Sequence, residues 1–326
     1  MSGASPRYAC REWSWNRKTV INQTSKHVSG FVSILGLPNA GKSTLVNGLV
    51  GSKVAIVSSK PQTTRTSIQA VLTLEHAQVV FMDTPGIHEA PRLLHRRMME
   101  SVREALADRD LLIWVVDATR PFTPECTEAL KLLDGNKART FLVLNKIDAV
   151  REKNLLLPLI ESYRVLHPFE EVLPVSALTG EGVDALREAI LKAMPEGPQY
   201  FPPDHITDQP ERFLAAELIR ERVLEETRQE VPHAVAVVVD EWDESPRLVR
   251  ISATIFVERD GQKKIVIGVR GSVLKSIGTE ARLEMERLLG KKIFLELFVK
   301  VRANWRDNPQ FLNEIDWRYM AGGEPK

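Results

Sequence analysis

Gly36-Leu37-Pro38-Asn39-Ala40-Gly41-Lys42-Ser43 lies between an apolar run at residues 31–35 and a helical pattern at 42–50. It matches G-x-x-x-x-G-K-[ST], and the strand-loop-helix context gives the match its weight. Gly36 and Gly41 allow backbone N–H groups to turn toward phosphate oxygens, and the helix opening at Lys42 adds its positive dipole end. Lys42 places a cation by the β- and γ-phosphates, and Ser43 offers a hydroxyl to Mg²⁺. Ala40 and Thr44 complete the expected nucleotide contacts of this loop.

Working outward, short apolar runs alternate with amphipathic stretches. Candidate strands are 31–35, 67–74, 79–82, 111–116, 140–144 and 172–175; helical patterns fall at 42–50, 93–107, 124–133, 155–166 and 182–193. This alternation predicts an α/β domain with a mostly parallel, helix-covered sheet, whose ligands bind beyond the carboxyl ends of the strands. Three further motifs sit at such ends. Asp83-Thr84-Pro85-Gly86 follows 79–82; its acid can hold Mg²⁺ through a water, and the Gly86 N–H can approach a γ-phosphate. Asn145-Lys146-Ile147-Asp148 ends the run at 140–144. Guanine presents two adjacent N–H donors that the Asp148 carboxylate accepts together, a pair adenine lacks, so the site discriminates against ATP. Ser176-Ala177-Leu178 follows the next strand and can offer a backbone N–H to guanine O6. Each fragment alone is an ordinary loop, but the four in this order predict a GTP site with GTP or GDP and Mg²⁺ as ligands.

Between the phosphate loop and Asp83 lies Ser58-Ser59-Lys60-Pro61-Gln62-Thr63-Thr64-Arg65-Thr66. A threonine there can reach Mg²⁺ only when the γ-phosphate is present, coupling nucleotide state to shape. Thr64 is favoured and Thr63 is the competitor. After D-x-x-G, Ras-like switches carry a glutamine that orients the attacking water; here Ile87 stands in that place, so intrinsic hydrolysis should be slow unless something else supplies the electrostatics.

Gly36-x-Pro38-Asn39-x-Gly41-Lys42-Ser43-Thr44, with Gln62-Thr63-Thr64-Arg65 and Asp83-Thr84-Pro85-Gly86-Ile87, resembles the bacterial Era family of GTPases. In related GTPases an asparagine in the place of Asn39 helps hold a K⁺ ion that does the work of an arginine finger. The resemblance therefore implies a catalytic set of Asn39, Lys42, Thr64 and Gly86, a metal set of Ser43, Thr64 and Asp83, and a K⁺-stimulated GTPase.

Five prolines, Pro195, Pro198, Pro202, Pro203 and Pro210, mark a stiff linker and a domain boundary. The organisation expected is a disordered extension at 1–29, a GTPase domain at 30–195, a linker at 196–210 and a second domain with a tail at 211–326. The second domain reads helix-strand-strand-helix-strand, its elements at about 211–229, 234–240, 248–257, 272–289 and 292–301, with an apolar run at 264–269. Gly268-Val269-Arg270-Gly271 opens a helix and fits the G-x-x-G loop of a KH domain, which clamps the backbone of single-stranded nucleotides. From Glu258 to Arg306 twelve basic residues, Lys275 among them, face six acidic ones, which suits phosphate binding. The Era family pairs a GTPase with such an α+β KH (type II) domain. Ile267, Val269 and Ile277 would line its base-binding groove, though core packing explains them equally well. Trp305 is either a stacking platform or a buried anchor.

The chain as a whole carries 44 basic and 43 acidic residues, so net charge excludes little. Cys10 and Cys126 suit no disulfide framework, which favours a reducing cytosol. The first residues hold Arg7, Arg11, Arg17, Lys18 and Lys26 against Glu12; a transit peptide is the alternative to a disordered tail or an over-long start. The resemblance implies a monomeric switch that binds the 3′ end of 16S ribosomal RNA during small-subunit assembly in the cytoplasm. The alternative is a signalling GTPase that recruits a protein effector at the inner face of the cell membrane.

Overall fold

The computed structural model describes residues 27–60, 62–87, 91–227 and 231–320. Residues 1–26 of the expected extension, and 321–326 of the tail, lie outside them.

β1 (Val28–Leu35) runs through the phosphate loop into α1 (Lys42–Val50). There follow β2 (Ile68–Leu74), β3 (Ala77–Asp83), α2 (Leu93–Glu104), β4 (Leu111–Asp117), α3 (Pro124–Leu130), β5 (Arg139–Asn145), α4 (Leu156–Arg164), β6 (Glu171–Pro174) and α5 (Val183–Ala193). The sheet order is β2-β3-β1-β4-β5-β6. β2 is antiparallel to β3 and the remaining pairings are parallel. β4 is buried along its whole length, as expected of a strand covered on both faces. One face packs on Leu45, Leu49, Leu186 and Ile190 of α1 and α5, the other on Val102, Leu130 and Tyr163 of α2, α3 and α4. After β1 the chain goes out to the edge strand β2, comes back in to β3 beside β1, then crosses to β1's other side for β4. That reversal opens a crevice at the carboxyl ends. Registers Ile34↔Asp83 and Asp117↔Asn145 bring the motif residues to those ends.

The second unit comprises α6 (Glu211–Glu226), β7 (Ala236–Glu244), β8 (Leu248–Val257), α7 (Asp260–Ile267), α8 (Ser272–Leu289) and β9 (Lys292–Val301), followed by α9 (Pro309–Glu314) and α10 (Trp317–Met320). β8 pairs antiparallel with β7 and parallel with β9. Leu218, Ile219 and Val223 of α6 pack with Ile277, Ala281 and Met285 of α8 against the sheet. The run at 264–269 belongs largely to a helix, α7, which apolar content alone did not distinguish from a strand. Pro232 opens a 3-10 turn over Pro232–Ala234, and the strand expected from 234 starts at Ala236, because proline has no N–H to give a ladder.

The structure adds to the reading of the linker and decides between the two readings of Trp305. The linker lies along the edge of the first sheet: Val71 N donates to Ile206 O at 2.8 Å, and Tyr200 N donates to Gln78 Oε1 at 2.7 Å. It thereby covers the free edge of β2. Trp305 is 0 % exposed and its Nε1 donates to Ala234 O at 3.0 Å. It joins Phe311, Leu312, Ala236 and Val238 with Leu94 and Met98 of α2 in a small core between the two units. It is an anchor, and a ring so enclosed cannot stack on a base.

Candidate functional site

The phosphate loop is folded around its own lysine. Lys42 Nζ donates to Gly36 O at 3.0 Å and Leu37 O at 3.1 Å. Burial lowers its pKa to about 8, against the opposing pull of Asp83. Ile87 N donates to Gly36 O, and a Cβ on Gly86 would lie 2.7 Å from Pro38 Cα, so only glycine lets the D-x-x-G turn press on the phosphate loop. Asn39, Thr44, Ser43, Thr64 and Gly86 line the cleft above Lys42.

Three oxygen-bearing side chains converge below that cleft. Ser43 Oγ donates to Asp83 Oδ2 at 2.6 Å, Thr64 Oγ1 donates to the same oxygen at 3.2 Å, and the two hydroxyls are 2.8 Å apart. Asp83 is fully buried and its Oδ1 has no partner. Burial raises its pKa to about 6, although Ser43, Lys42 and Thr64 pull the other way. A buried carboxylate oxygen without a donor, beside two hydroxyls, suits a hard cation that prefers oxygen ligands. Thr63 faces elsewhere, its hydroxyl donating to Lys60 O at 2.7 Å.

At the base end Asn145 bridges loops. Asn145 Nδ2 donates to Ala40 O at 2.8 Å, and Ala177 N donates to Asn145 Oδ1 at 2.9 Å. Both ends of its buried amide tie two loops together, and within Ser176-Ala177-Leu178, the segment expected to offer an N–H to guanine O6, that of Ala177 is engaged by the tie. Lys146 has φ 67 and donates to Asp117 Oδ2 at 2.7 Å. Burial pushes the Asp117 carboxyl up, but Lys146 and Thr119 outweigh it and leave the pKa below the ordinary value. Asp148 stands exposed in the following 3-10 turn (Ile147–Ala149). Ser176 is buried, its Oγ accepting from Thr179 N at 3.1 Å, while Leu178 is 60 % exposed at the rim.

In the second unit, Gly268, with φ 74, leaves no room for a Cβ, which would lie 2.5 Å from Val273 Cγ2. Gly271, with φ 78, would place one in open space. Between them Val269 is 81 % exposed and Arg270 is exposed at φ 51. Lys275 is exposed one turn into α8. Ile277, a candidate groove residue, is instead fully buried in the core.

A family model described as 50S ribosome-binding GTPase matches residues 31–146, and one described as KH domain matches 230–306. GTPase Era of Syntrophus aciditrophicus is 50% identical over 291 residues, 89% of this chain and 95% of the relative. GTPase Era of Lactobacillus delbrueckii subsp. bulgaricus is 50% identical over 298 residues, 91% and 98% of the two chains. The chain belongs to the Era family of GTPases. Era solved in complex with MgGDPNP and nucleotides 1506–1542 of 16S ribosomal RNA superposes with a TM-score of 0.86 at 39% identity, covering 89% of this chain and 99% of that one. A variant of Aquifex aeolicus Era bound to GDP·AlF₄⁻ gives 0.85 at 40% identity over the same shares.

In this Era-family GTPase, Ile87 is buried in the core beneath α2 and α3, so its side chain holds no water. Three functional candidates escaped the sequence reading. Asp117 ends an apolar strand as Asp83 does, and that placement was available as a signal. Glu221 and Arg220 were not detectable, since they lie inside α6 without a motif. Glu221 accepts from Val57 N at 2.7 Å and from Lys53 at 2.6 Å; Arg220 donates to Thr63 O and pairs with Glu217. Ile56 packs into the core of the KH unit. The loop that carries Thr64 is thus held by α6. Among the described residues no helix is long and apolar enough to cross a membrane.

Proposed function

We propose that this Era-family GTPase is a switch whose nucleotide state sets the access of RNA to its KH unit, and that the RNA is the 3′ end of 16S ribosomal RNA during small-subunit assembly in the cytosol. The observation that carries the reading is the hold of α6 on residues 53–64 through Glu221 and Arg220. Whatever moves Thr64 moves the helix beneath the KH sheet. The relative solved with nucleotides 1506–1542 supports the choice of RNA.

Within the pocket, Lys42 faces the β- and γ-phosphates, the Gly86 N–H faces the γ-phosphate, and Asp148 accepts the two guanine donors. Asn145 and Lys146 hold the phosphate, Asp117 and Ser176-Ala177-Leu178 loops in register around the base. Ser43, Thr64 and Asp83 would hold Mg²⁺, which neutralises charge on the phosphates when bound. With Ile87 in the core, its side chain does not position the attacking water. Asn39 at the cleft is the place for a K⁺ ion, and equal hydrolysis in KCl and NaCl would remove that part of the proposal. Gly268, Val269, Arg270, Gly271 and Lys275 form the RNA clamp. The deciding experiment compares binding of a 3′-terminal 16S fragment to the protein loaded with a non-hydrolysable GTP analogue or with GDP. A several-fold difference is expected; equal affinities would rule out gating, and no binding in either state would rule out the RNA.

A further inference from the structure

Arg65 directly follows Thr64 and reaches across to the KH unit. Its Nη1 donates to Val235 O at 2.7 Å, and its guanidinium lies 5.3 Å from the centre of the Trp305 ring. The residue is 9 % exposed, yet its Nε and Nη2 are buried without a hydrogen-bond partner. Those two N–H groups form one edge of the planar fork, the edge that takes two oxygens of a single oxyanion. Buried charged donors left bare carry a desolvation penalty that a ligand would relieve.

Arg65 lines a cleft between the two units together with Arg97, Arg220, Arg318, Glu217 and Asp316, four guanidiniums against two carboxylates. Arg220 is paired with Glu217 and Arg318 with Asp316. Arg97 donates to neutral oxygens instead, Asn313 Oδ1 at 2.7 Å and Pro309 O at 3.5 Å. The cleft shares no lining residue with the one above Lys42.

We propose that this cleft is a second anion site, which takes a small tetrahedral phosphate dianion side-on against Nε and Nη2 of Arg65, with Arg97 as the second uncompensated cation. A dianion matches the excess of two guanidiniums in the lining. Because Arg65 adjoins Thr64, and Arg220 of the same cleft donates to Thr63 O, an occupant would hold the loop against the KH unit.

The test uses the full-length protein saturated with a non-hydrolysable GTP analogue and Mg²⁺, so that the γ-phosphate position of the nucleotide pocket cannot take the probe. Inorganic phosphate is titrated calorimetrically at constant ionic strength maintained with chloride. Saturable one-to-one binding is expected, in competition with sulfate, and weakened at least about tenfold by Arg65→Met and by Arg97→Met. Arg97→Met, on a partly exposed helix position, reads the site should the Arg65 variant fail to fold. Displacement by glycerol 3-phosphate would assign the site to phosphate esters, and failure to displace would assign it to free phosphate; either supports it. Heat that does not saturate, or an affinity unchanged in the variants, overturns the proposal and leaves the fork merely hydrated.

Discussion

At Asp83 a carboxylate is buried and half-satisfied, with one oxygen bonded to Ser43 and Thr64 and the other bare. Its folded pKa of about 6 lies above the 3.8 of the free group, so between those values the folded state binds more protons than the unfolded one. The metal-free protein should therefore lose stability as pH rises from about 4 to 6, and stay penalised above. The loss is on the order of 3 kcal/mol relative to Asp83→Asn, which lacks the titration. Denaturant midpoints of both proteins in EDTA at pH 4.5 and 7.5 capture about 2 kcal/mol of it; parallel changes would refute it. Asp148, exposed at the rim, makes a second residue-scale prediction. Asp148→Asn keeps one acceptor and adds donors, which suits the C2 carbonyl of xanthine. GTP binding should weaken ten- to hundredfold while xanthosine triphosphate binding improves, and a competition assay showing an unchanged preference would displace guanine from this carboxylate. Asp83 and Asp148 were both readable as letters in motifs. That Asn145 spends its amide on Ala40 and Ala177 was not, because the bonds run to backbone atoms of distant loops.

Elements differ in how much of them local sequence specifies. Strands β4 and β5 are continuous apolar runs and were placed to within a residue or two, whereas α7 passed as an undefined apolar run. Its eight residues (Asp260–Ile267) place a single residue, Val266, fully in the core, too few for a helical period to emerge. The G-x-x-G element also separates two glycines that the motif treats alike. Gly271→Asp meets open space, and aspartate tolerates a left-handed φ, so the variant should fold with a melting point within a few degrees of the parent and lose most RNA affinity through charge repulsion. Gly268→Ala collides with Val273 and should cost about 1–3 kcal/mol in stability before RNA is considered. Thermal melts with filter binding on both variants check this. Full RNA binding by a folded Gly271→Asp protein would remove the loop from the RNA site.

Over the whole molecule, α6 and the turn at Trp305–Asp307 join the two units at two places on the GTPase unit, the loop carrying Thr64 and the start of α2. α6 grips residues 53–64, while Asp307 accepts from Arg92 Nη1 at 2.8 Å and from Leu93 N at 3.1 Å at the start of α2. Glu221→Gln keeps an acceptor for Val57 N but discards the charge that faces Lys53 and Arg222. Since breaking one side of a buried pair is costly, stability should fall by about 1–3 kcal/mol. The ratio of RNA affinities between GTP-analogue and GDP states should shrink toward one. A variant with the full ratio would show that coupling runs elsewhere, the Asp307 contact being the next to test.

Short-range order was enough to declare the GTP site. The proposed phosphate and base contacts, and two of the three proposed metal ligands, come from four brief motifs, each at the end of an apolar strand, and strand ends of a parallel sheet meet at one edge whatever the loops do. Distant pairings were invisible to any reading along the chain: Glu221 with residues 53–57, Trp305 packed with Leu94 and Met98 of α2, Arg65 bonded to Val235 O. Those depend on how two separately patterned units pack, and packing is decided by shape and desolvation among residues more than 150 positions apart, for which the local sequence carries no periodic signal.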